Sequence, residues 1–296
     1  MDALILTPDS APLSRDIADY PEGIIIPIDK PYRWTSADVI RKVKFAAIRH
    51  FGKKNLKVGH AGTLDPLATG VLLVCIGKAT KLAEELQSHD KEYVAGITFG
   101  ATTPSYDLEK EIDRFFPHEH ITSESVEKAL PAFIGEQNQI APLFSAKSVD
   151  GVRAYELARK LYKETGSENS ADFDEAAKDL IRVSRINISQ LELLEFNHNS
   201  PASGVEVSSE GTGDAIVSKA SSRINVTDNS ALGLPRAVVR MACSKGTYVR
   251  AFARDLGEAI GSGAHLDSLQ RSRSGIFRVE NALSVEQTIS LLSISI

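Results

Sequence analysis

The sequence predicts an α+β protein, in which strands and helices are mixed within a sheet domain. Short apolar runs rich in β-branched residues, typical of buried strands, are interspersed with stretches whose apolar residues recur at helical spacing. The two kinds of segment do not alternate regularly, which disfavours a doubly wound parallel sheet. With 296 residues, 42% of them hydrophobic, the chain is long enough for one large domain or two small ones.

Four apolar runs have the composition of strands. They contain few charges and are rich in aliphatic and β-branched residues. The first ends at Pro31, which has no N–H to donate to a strand ladder. The four runs are GIIIPIDKP from Gly23, Val71–Ile76, Tyr93–Phe99 and AVVRMACSKG from Ala237.

The clearest helix signal follows Thr35, which forms a candidate capping box with Asp38 three positions on. At helical spacing this helix buries three apolar residues and turns three cations partly outward; these are Val39, Val43 and Ala47, and Arg41, Lys42 and Lys44. Four later segments are also expected to be helical: one through Leu82 and Leu86, one from Ser123 with Val126, Leu130 and Ile134 inside, VRAYELARKL after the Asp150–Gly151 turn, and TYVRAFARDLGEAIG.

Composition also suggests how the chain is divided. Residues 1–22 carry five acids and one arginine and are expected to be a loose tail, and residues 23–296 to form the folded domain. Two segments with few large apolar residues are predicted insertions. The first, residues 163–178, is acidic and polar, and the second, residues 197–235, is rich in Ser, Gly and Asn.

Cysteine use and hydropathy indicate a cytoplasmic protein without a membrane anchor. The two cysteines, Cys75 and Cys243, lack paired spacing, which argues against a disulfide framework or a cysteine-ligated zinc. The N-terminus has no apolar core of the secretory kind, and no apolar run approaches the length of a membrane span.

The charge is distributed unevenly along the chain. The net charge is −5, which by itself speaks against a polyanionic partner. Residues 41–57, however, contain seven lysines and arginines and no acid, and residues 236–273 contain seven more against three acids. Each run alone is compatible with a solvated face. Two such runs on either side of one conspicuous acid favour a nucleic-acid partner.

That acid is Asp65, in the stretch GHAGTLDPLATGVL from Gly59 to Leu72. Small residues surround it, Pro66 disfavours a helical backbone at its position, and an apolar run follows. A lone loop aspartate is often only a turn or capping residue. Here the small residues of the loop leave room for a planar group to approach the carboxylate. Burial of a carboxylate without a fixed partner costs free energy, which favours a functional role for Asp65.

Few other residues suggest chemistry. Tyr93 and Tyr248 offer aromatic faces on which RNA bases commonly stack, and Arg250 is the best candidate counter-charge for Asp65. Phosphate-loop, dinucleotide, zinc-protease and nucleophile-elbow motifs are missing. His60 and Asp65 form an incomplete metal-ligand set, which leaves a metal-dependent hydrolase as an alternative. The sequence therefore implies no cofactor and no metal.

Six blocks resemble the TruB family of tRNA pseudouridine synthases. They occur in the order of the family and span most of residues 23–283. The blocks are DKPYRWTS, GHAGTLDPLATGVLLVCIGKATKL, KEYVAGITFG, SAKSVDGVRAYELAR, CSKGTYVRAFARDLG and GAHLDSLQRSRSGIF. The resemblance implies the pseudouridine synthase fold, a mixed, largely antiparallel sheet with flanking helices and a central RNA-binding cleft. It implies a catalytic domain over residues 23–296, which isomerises the uridine at tRNA position 55 in the T loop without cofactor or metal.

The resemblance also implies roles for individual residues. Asp65 matches the nucleophile, Arg250 the arginine that pairs with it, and Tyr93 the tyrosine that stacks on the flipped base and assists deprotonation at C5. His60 matches a histidine that contacts RNA, and Tyr248 and Leu269 match residues of the uridine pocket. Three more residues in matching motifs are expected to contact phosphate or to position the loop; they are Lys30, Lys91 and Arg271.

The chain departs from the family pattern in several places. Arg33 stands where the family usually has glycine, Phe144 replaces a tyrosine, and the stretch around Asp107 reads TPSYDLEK. The chain ends soon after the last block, so we expect no PUA domain. The expected partner is the tRNA T arm, bound by a monomer without a guide RNA. Two alternatives keep the fold: a tRNA-folding chaperone in which modification is secondary, and a guide-RNA-dependent enzyme.

Overall fold

The computed structural model describes residues 2–142, 148–149, 152–153, 183–198 and 224–293. The strands are β1 Leu4–Ile5, β2 Ile24–Lys30, β3 Val58–Ala61, β4 Ala68–Ile76, β5 Lys91–Phe99, β6 Ala101–Thr102, β7 Arg114–Phe115, β8 Gly135–Ile140, β9 Ser148–Val149, β10 Val152–Arg153, β11 Val183–Asn197, β12 Arg236–Cys243, β13 Ala264–Ser274 and β14 Phe277–Arg278. The α-helices are α1 Ser36–Phe51, α2 Ala83–Ser88, α3 Ser123–Ala129, α4 Val249–Ala259 and α5 Val285–Leu291. Short 3-10 helices lie at Ile17–Asp19, Gly77–Leu82, Leu130–Phe133, Ser230–Leu232 and Val279–Asn281.

The described residues form two compact units. The first unit contains residues 2–93, 224 and 269–293, and the remaining described residues form the second. In the first unit the strand order is β1-β2-β4-β13, with β3 paired to β4 and β14 to β13. In the second unit the order is β13-β5-β12-β11-β8, and β5 and β13 contribute residues to both units. Only β1–β2 and β4–β13 are parallel among the pairs whose direction is known, so the predicted mixed, largely antiparallel sheet is confirmed.

The core of the first unit lies around β2 and β4. All of Val71–Ile76 and four isoleucines of β2 are fully buried, which explains why these strands are continuous apolar runs and do not alternate. Residues of β4 at alternate positions pack against Leu86 of α2 and Phe277 of β14. The two strands thereby give a rigid base to the loop that carries Asp65.

Helix α1 begins as predicted. The Thr35 side chain accepts a hydrogen bond from the Asp38 N–H, and the Asp38 carboxylate accepts one from the Thr35 N–H. Both halves of the capping box are therefore formed. The expected core residues are buried, and the expected cations are exposed or half-buried; they are Val39, Val43 and Ala47, and Arg41, Lys42 and Lys44.

The prediction of a loose N-terminal tail is wrong for the described residues 2–22. Leu4 and Ile5 form β1, which pairs in parallel with Ile24 and Ile25 of β2. Leu6 and Leu13 are buried. The acidic composition concealed a few apolar side chains, and these are sufficient to hold the segment against the sheet.

The predicted helix at residue 123 needs two corrections. Its N-cap is Thr122, whose side chain accepts a hydrogen bond from the Ser125 N–H. The α-helix ends at Ala129 and continues as a 3-10 turn that contains Pro131. Val126 and Leu130 are buried as expected, but Ile134 lies beyond the turn and is 50% exposed.

The predicted helix over VRAYELARKL is wrong at its first two residues, since Val152 and Arg153 form β10 in an antiparallel pair with β9. The rest of that segment, all of insertion 163–178 and residues 199–223 lie outside the described residues. Helix α4 confirms the last predicted helix, with Val249, Phe252 and Leu256 buried. Within the described ranges, none of the helices is both long enough and apolar enough to cross a bilayer.

Candidate active site

Asp65 lies at the start of a tight turn between β3 and β4. The Ala68 N–H donates to the Asp65 carbonyl oxygen at 3.1 Å, and Pro66 occupies the second position of the turn, which proline favours. Leu64 and Leu67 are buried on either side, whereas Asp65 itself is partly exposed. The two leucines anchor the loop on either side of the partly exposed Asp65.

Ser36, the first residue of α1, holds the residue before Asp65. Its hydroxyl oxygen accepts a hydrogen bond from the Leu64 N–H at 3.0 Å and lies 3.2 Å from the Leu64 carbonyl oxygen, to which it donates. Both backbone polar groups of the buried Leu64 are thus satisfied by a single side chain. The position of Asp65 is therefore tied to the start of a capped helix.

Lys30, the last residue of β2, holds the residue after Asp65. Its fully buried ammonium donates to the carbonyl oxygens of Pro31 at 2.9 Å, Trp34 at 2.6 Å and Pro66 at 3.2 Å, which uses all three donors. Burial lowers the pKa of Lys30 to about 7, against the opposing effect of the negative charges of Asp65 and Asp29. Lys30 therefore links the DKPYRW turn to the turn of Asp65.

The buried Arg271 and the half-buried Asp29 hold the flanks of the loop. Arg271 of β13 donates to the Val71 carbonyl oxygen at 2.7 Å and to the Gly62 carbonyl oxygen at 2.9 Å. Asp29 accepts a hydrogen bond from the Gly70 N–H at 2.9 Å. Burial raises the pKa of Asp29, and the Gly70 N–H opposes that rise. The backbone is thus fixed on both sides of Asp65.

This frame predicts very different costs for two glycine substitutions. Gly70 has φ +96°, and a Cβ there would lie 2.3 Å from the Arg271 carbonyl oxygen. Gly62 has φ +81°, but its nearest neighbour would be the Arg271 side chain at 3.4 Å. We expect Gly70→Ala to lower the free energy of unfolding by about 3 kcal/mol or more, because the backbone must move.

The matched control is Gly62→Ala, which carries the strain of a left-handed backbone without the collision and should cost about 1 kcal/mol. Urea unfolding of the two variants and the parent chain measures both values. Equal losses for the two variants would contradict the close approach of β4 to β13.

Lys91 completes a set of three buried cations. Its ammonium donates to the carbonyl oxygens of Gln87 and His89, which lie just before β5. Like Lys30 and Arg271, it is buried and bonded to backbone carbonyls. These hydrogen bonds fit the positioning of loops, one of the two roles expected for the three residues. Contact with phosphate, the other expected role, remains a prediction.

The other expected site residues of the first unit lie on its strands. Tyr93 is buried in β5, and Leu269 of β13 pairs with Ala68, three residues after Asp65. His60 is half-buried in β3, and burial together with the Arg271 charge lowers the pKa of its imidazole. Neutral His60 at physiological pH follows from that direction.

Arg250 and Tyr248 belong to the second unit, at the start of α4. Arg250 is buried and donates to the Ser105 carbonyl oxygen at 2.9 Å, and its Nε lies 3.7 Å from an oxygen of Asp107. The Tyr248 backbone bonds the Gln139 side chain in both directions, at 2.8 and 3.1 Å. The pairing of Arg250 with Asp65 remains a prediction.

Three residues that hold expected site residues or their neighbours were not predicted from the sequence. Asp29 and Ser36 are the first and last residues of the DKPYRWTS block, but the sequence suggested no role for either. Asp107 was noted only as a remnant of a family motif. The Asp107 carboxylate accepts hydrogen bonds from the Ser105 hydroxyl at 2.6 Å and the Glu109 N–H at 3.0 Å. The retention of an acid inside the altered TPSYDLEK stretch was the available signal. As for metal ligands, no group of three or more His, Cys, Asp or Glu side chains converges within the ranges that are described.

Known proteins match this chain closely. The family model described as TruB family pseudouridylate synthase (N terminal domain) matches residues 49–213. A Phocaeicola vulgatus protein named tRNA pseudouridine synthase B is 47% identical over 268 residues, which cover 90% of this chain and 92% of that protein. The chain belongs to the TruB family. Proteins of the same name from Bacteroides thetaiotaomicron and Flavobacterium johnsoniae are 44% and 38% identical, cover 90% of this chain in each case, and are themselves covered to 92% and 95%.

Solved structures agree with the family fold. A chain of a Cbf5-Nop10-Gar1 complex has a TM-score of 0.56 and 22% identity, and the match covers 96% of this chain and 58% of that one. A chain of an H/ACA RNP bound to a substrate RNA containing 2'-deoxyuridine has a TM-score of 0.55 and 21% identity, with coverage of 98% and 58%. This TruB-family chain thus spans a little over half of those two chains. At such identities the likeness shows the fold alone.

Proposed function

We propose that this chain is a tRNA pseudouridine synthase, an isomerase that converts the T-loop uridine at position 55 to pseudouridine. The observation that carries the proposal is the single carboxylate of Asp65, partly exposed in a turn. Ser36, Lys30 and Arg271 fix the backbone of the turn and of its flanks by hydrogen bonds. The relatives named tRNA pseudouridine synthase B, at up to 47% identity, support the choice of tRNA as substrate.

The reaction needs no oxidant, reductant or added group. The bond from uracil N1 to the ribose C1′ breaks, the base turns, and a bond from C5 to C1′ forms. The C5 proton leaves and N1 gains one, so atoms and electrons balance. A carboxylate nucleophile divides this exchange into two easier steps through a covalent adduct. Asp65 is the proposed nucleophile.

The substrate must first present the uridine to that carboxylate. The nucleotide is stacked in the T arm and has to flip out, at a cost of a few kcal/mol in lost stacking. Tyr93 is proposed to stack on the flipped base and to assist removal of the C5 proton. Tyr248 and Leu269 line the pocket, His60 contacts RNA, and Arg250 balances the charge of Asp65.

The proposed partner is free tRNA, bound by a monomer without a guide RNA. Two sets of relatives are relevant to that choice. The three tRNA pseudouridine synthase B proteins described above share 38–47% of their residues with this chain, whereas the chains of the H/ACA and Cbf5 complexes share 21–22%. The much higher identity supports the stand-alone enzyme.

The proposal predicts one modified position in an otherwise unmodified tRNA transcript. Incubation with the purified protein, carbodiimide labelling and primer extension should map a single pseudouridine to position 55 in the T loop. A transcript with cytidine at that position is the matched control and should remain unlabelled there. Failure to label the T loop of the uridine transcript would overturn the substrate assignment.

A further inference from the structure

An exposed phenylalanine lies among the cations of α1. Phe45 is 72% exposed, although Val39, Val43 and Ala47 of the same helix are buried. Lys44 precedes it, and Arg49 follows one turn later on the same helix face. Lys44 and Arg49 are exposed as well. The outer face of α1 thus combines an aromatic ring with two positive charges.

An open groove of about 490 Å³ adjoins this face. Its lining includes Lys44 of α1, Lys54 and Lys57 of the following loop, and Gly59 of β3. Within the described part of the chain, none of the three lysines forms an ion pair with a carboxylate. The C-terminus of α1 contributes only about half a negative charge, so three full positive charges dominate the groove.

The sequence around the groove contains almost no acid. Between Val39 and Ala83, Asp65 is the only acidic residue among nine lysines and arginines. Some exposed cations of the second unit have carboxylate partners, as Lys128 has Glu124 and Arg240 has Glu192. Unpaired cations beside an exposed aromatic ring form the pattern that binds a nucleic-acid strand, with charge on the phosphates and the ring against a base or ribose.

The position of the groove fits an RNA whose target nucleotide lies at Asp65. Ser36, at the start of α1, bonds the residue next to Asp65, and Lys44 lies eight residues farther along the helix. At a rise of 1.5 Å per residue, Lys44 is about 12 Å along the axis from that contact. One RNA strand of a duplex covers this distance in about four steps.

We propose that Lys44, Phe45, Arg49, Lys54 and Lys57 form a second RNA subsite, which binds the strand that adjoins the target loop. Phosphates lie in the groove on Lys44, Lys54 and Lys57, and one nucleotide packs on Phe45. The inference rests on the proposed function for the identity of the RNA. What it adds is the surface on which the RNA strand binds.

The test measures the affinity for an unmodified tRNA transcript as a function of salt, in the Asp65→Asn background so that turnover plays no part. The triple variant Lys44→Ala, Lys54→Ala, Lys57→Ala should raise Kd at least about tenfold. It should also flatten the slope of log K against log salt by about 2 to 3, one phosphate contact per lysine. Phe45→Ala should raise Kd about fivefold without changing the slope, because stacking releases no counterions.

The matched control removes three paired cations of the second unit, Lys128, Arg185 and Arg240, each replaced by alanine. It has the same change in net charge and should leave Kd within about twofold, since paired surface cations contribute little. If the groove variant and this control lose affinity equally, net charge explains the binding and the subsite is refuted. A parent protein that binds tRNA but leaves it unmodified contradicts the proposed function and not the subsite.

Discussion

Replacement of Asp65 by asparagine abolishes pseudouridine formation and leaves tRNA binding intact, if Asp65 is the nucleophile. The amide keeps the shape of the side chain but cannot form the covalent adduct, and loss of a catalytic nucleophile costs about 10⁴-fold or more. Release of tritium from tRNA labelled at uracil C5 under single-turnover conditions measures the rate. Kd for the transcript, measured separately, should change less than about threefold.

Asp29→Asn is the matched control. It makes the same change from carboxylate to amide in the same frame, and its remaining oxygen can still accept the Gly70 N–H. Both carboxylates act on the charge of Lys30, so the electrostatic disturbance is similar. We expect this variant to retain at least about a tenth of the parental rate. An Asp65→Asn protein that isomerises uridine as fast as the control would end the nucleophile assignment.

The stability of the protein is expected to rise with pH between about 7 and 10 because of Lys30. Its pKa in the folded chain is lowered to about 7, whereas an unfolded lysine titrates near 10.4. Between these values the unfolded chain holds a proton that the folded chain has released, so raising the pH favours folding. The slope reaches about 1.4 kcal/mol per pH unit, and the total gain across the window is about 4 kcal/mol.

Urea unfolding of the parent chain and of Lys30→Met at several pH values isolates this effect, because all other titrating groups are common to both proteins. The difference in unfolding free energy should grow steadily from pH 7 to pH 10. Lys78→Met is the control, since Lys78 is exposed and paired with Glu22, and its difference from the parent should stay flat. Parallel curves for the parent and Lys30→Met would show that Lys30 keeps an ordinary pKa in the folded chain.

Features set by neighbouring residues were predictable from the sequence. The capping box of Thr35 and Asp38 spans three positions, and the buried face of α4 repeats at helical spacing, so both patterns are local. Pro31 marked the end of β2 for the same reason. The motif around Asp65 was found because its small residues and proline are contiguous.

Features that depend on distant contacts were missed or misassigned. Lys30 was expected either to contact phosphate or to position the loop, because nothing in its own neighbourhood reveals the Pro66 carbonyl that it reaches 36 positions away. The hydrogen bond between Arg250 and Ser105 spans 145 positions. The role of Asp107 beside Arg250 is visible only once this long-range contact is known. Strand β1 has two residues, too few for any periodicity, and exists because β2 offers an edge.

That short parallel pairing also affects the solubility of the folded chain. Without residues 4 and 5, the outer N–H and C=O groups of β2 would face solvent along an apolar strand, which is a template for pairing with another molecule. The N-terminal segment thus covers the edge of β2 and protects the chain from edge-to-edge aggregation. Trimming the chain to Gly23 for expression or crystallisation would expose that edge.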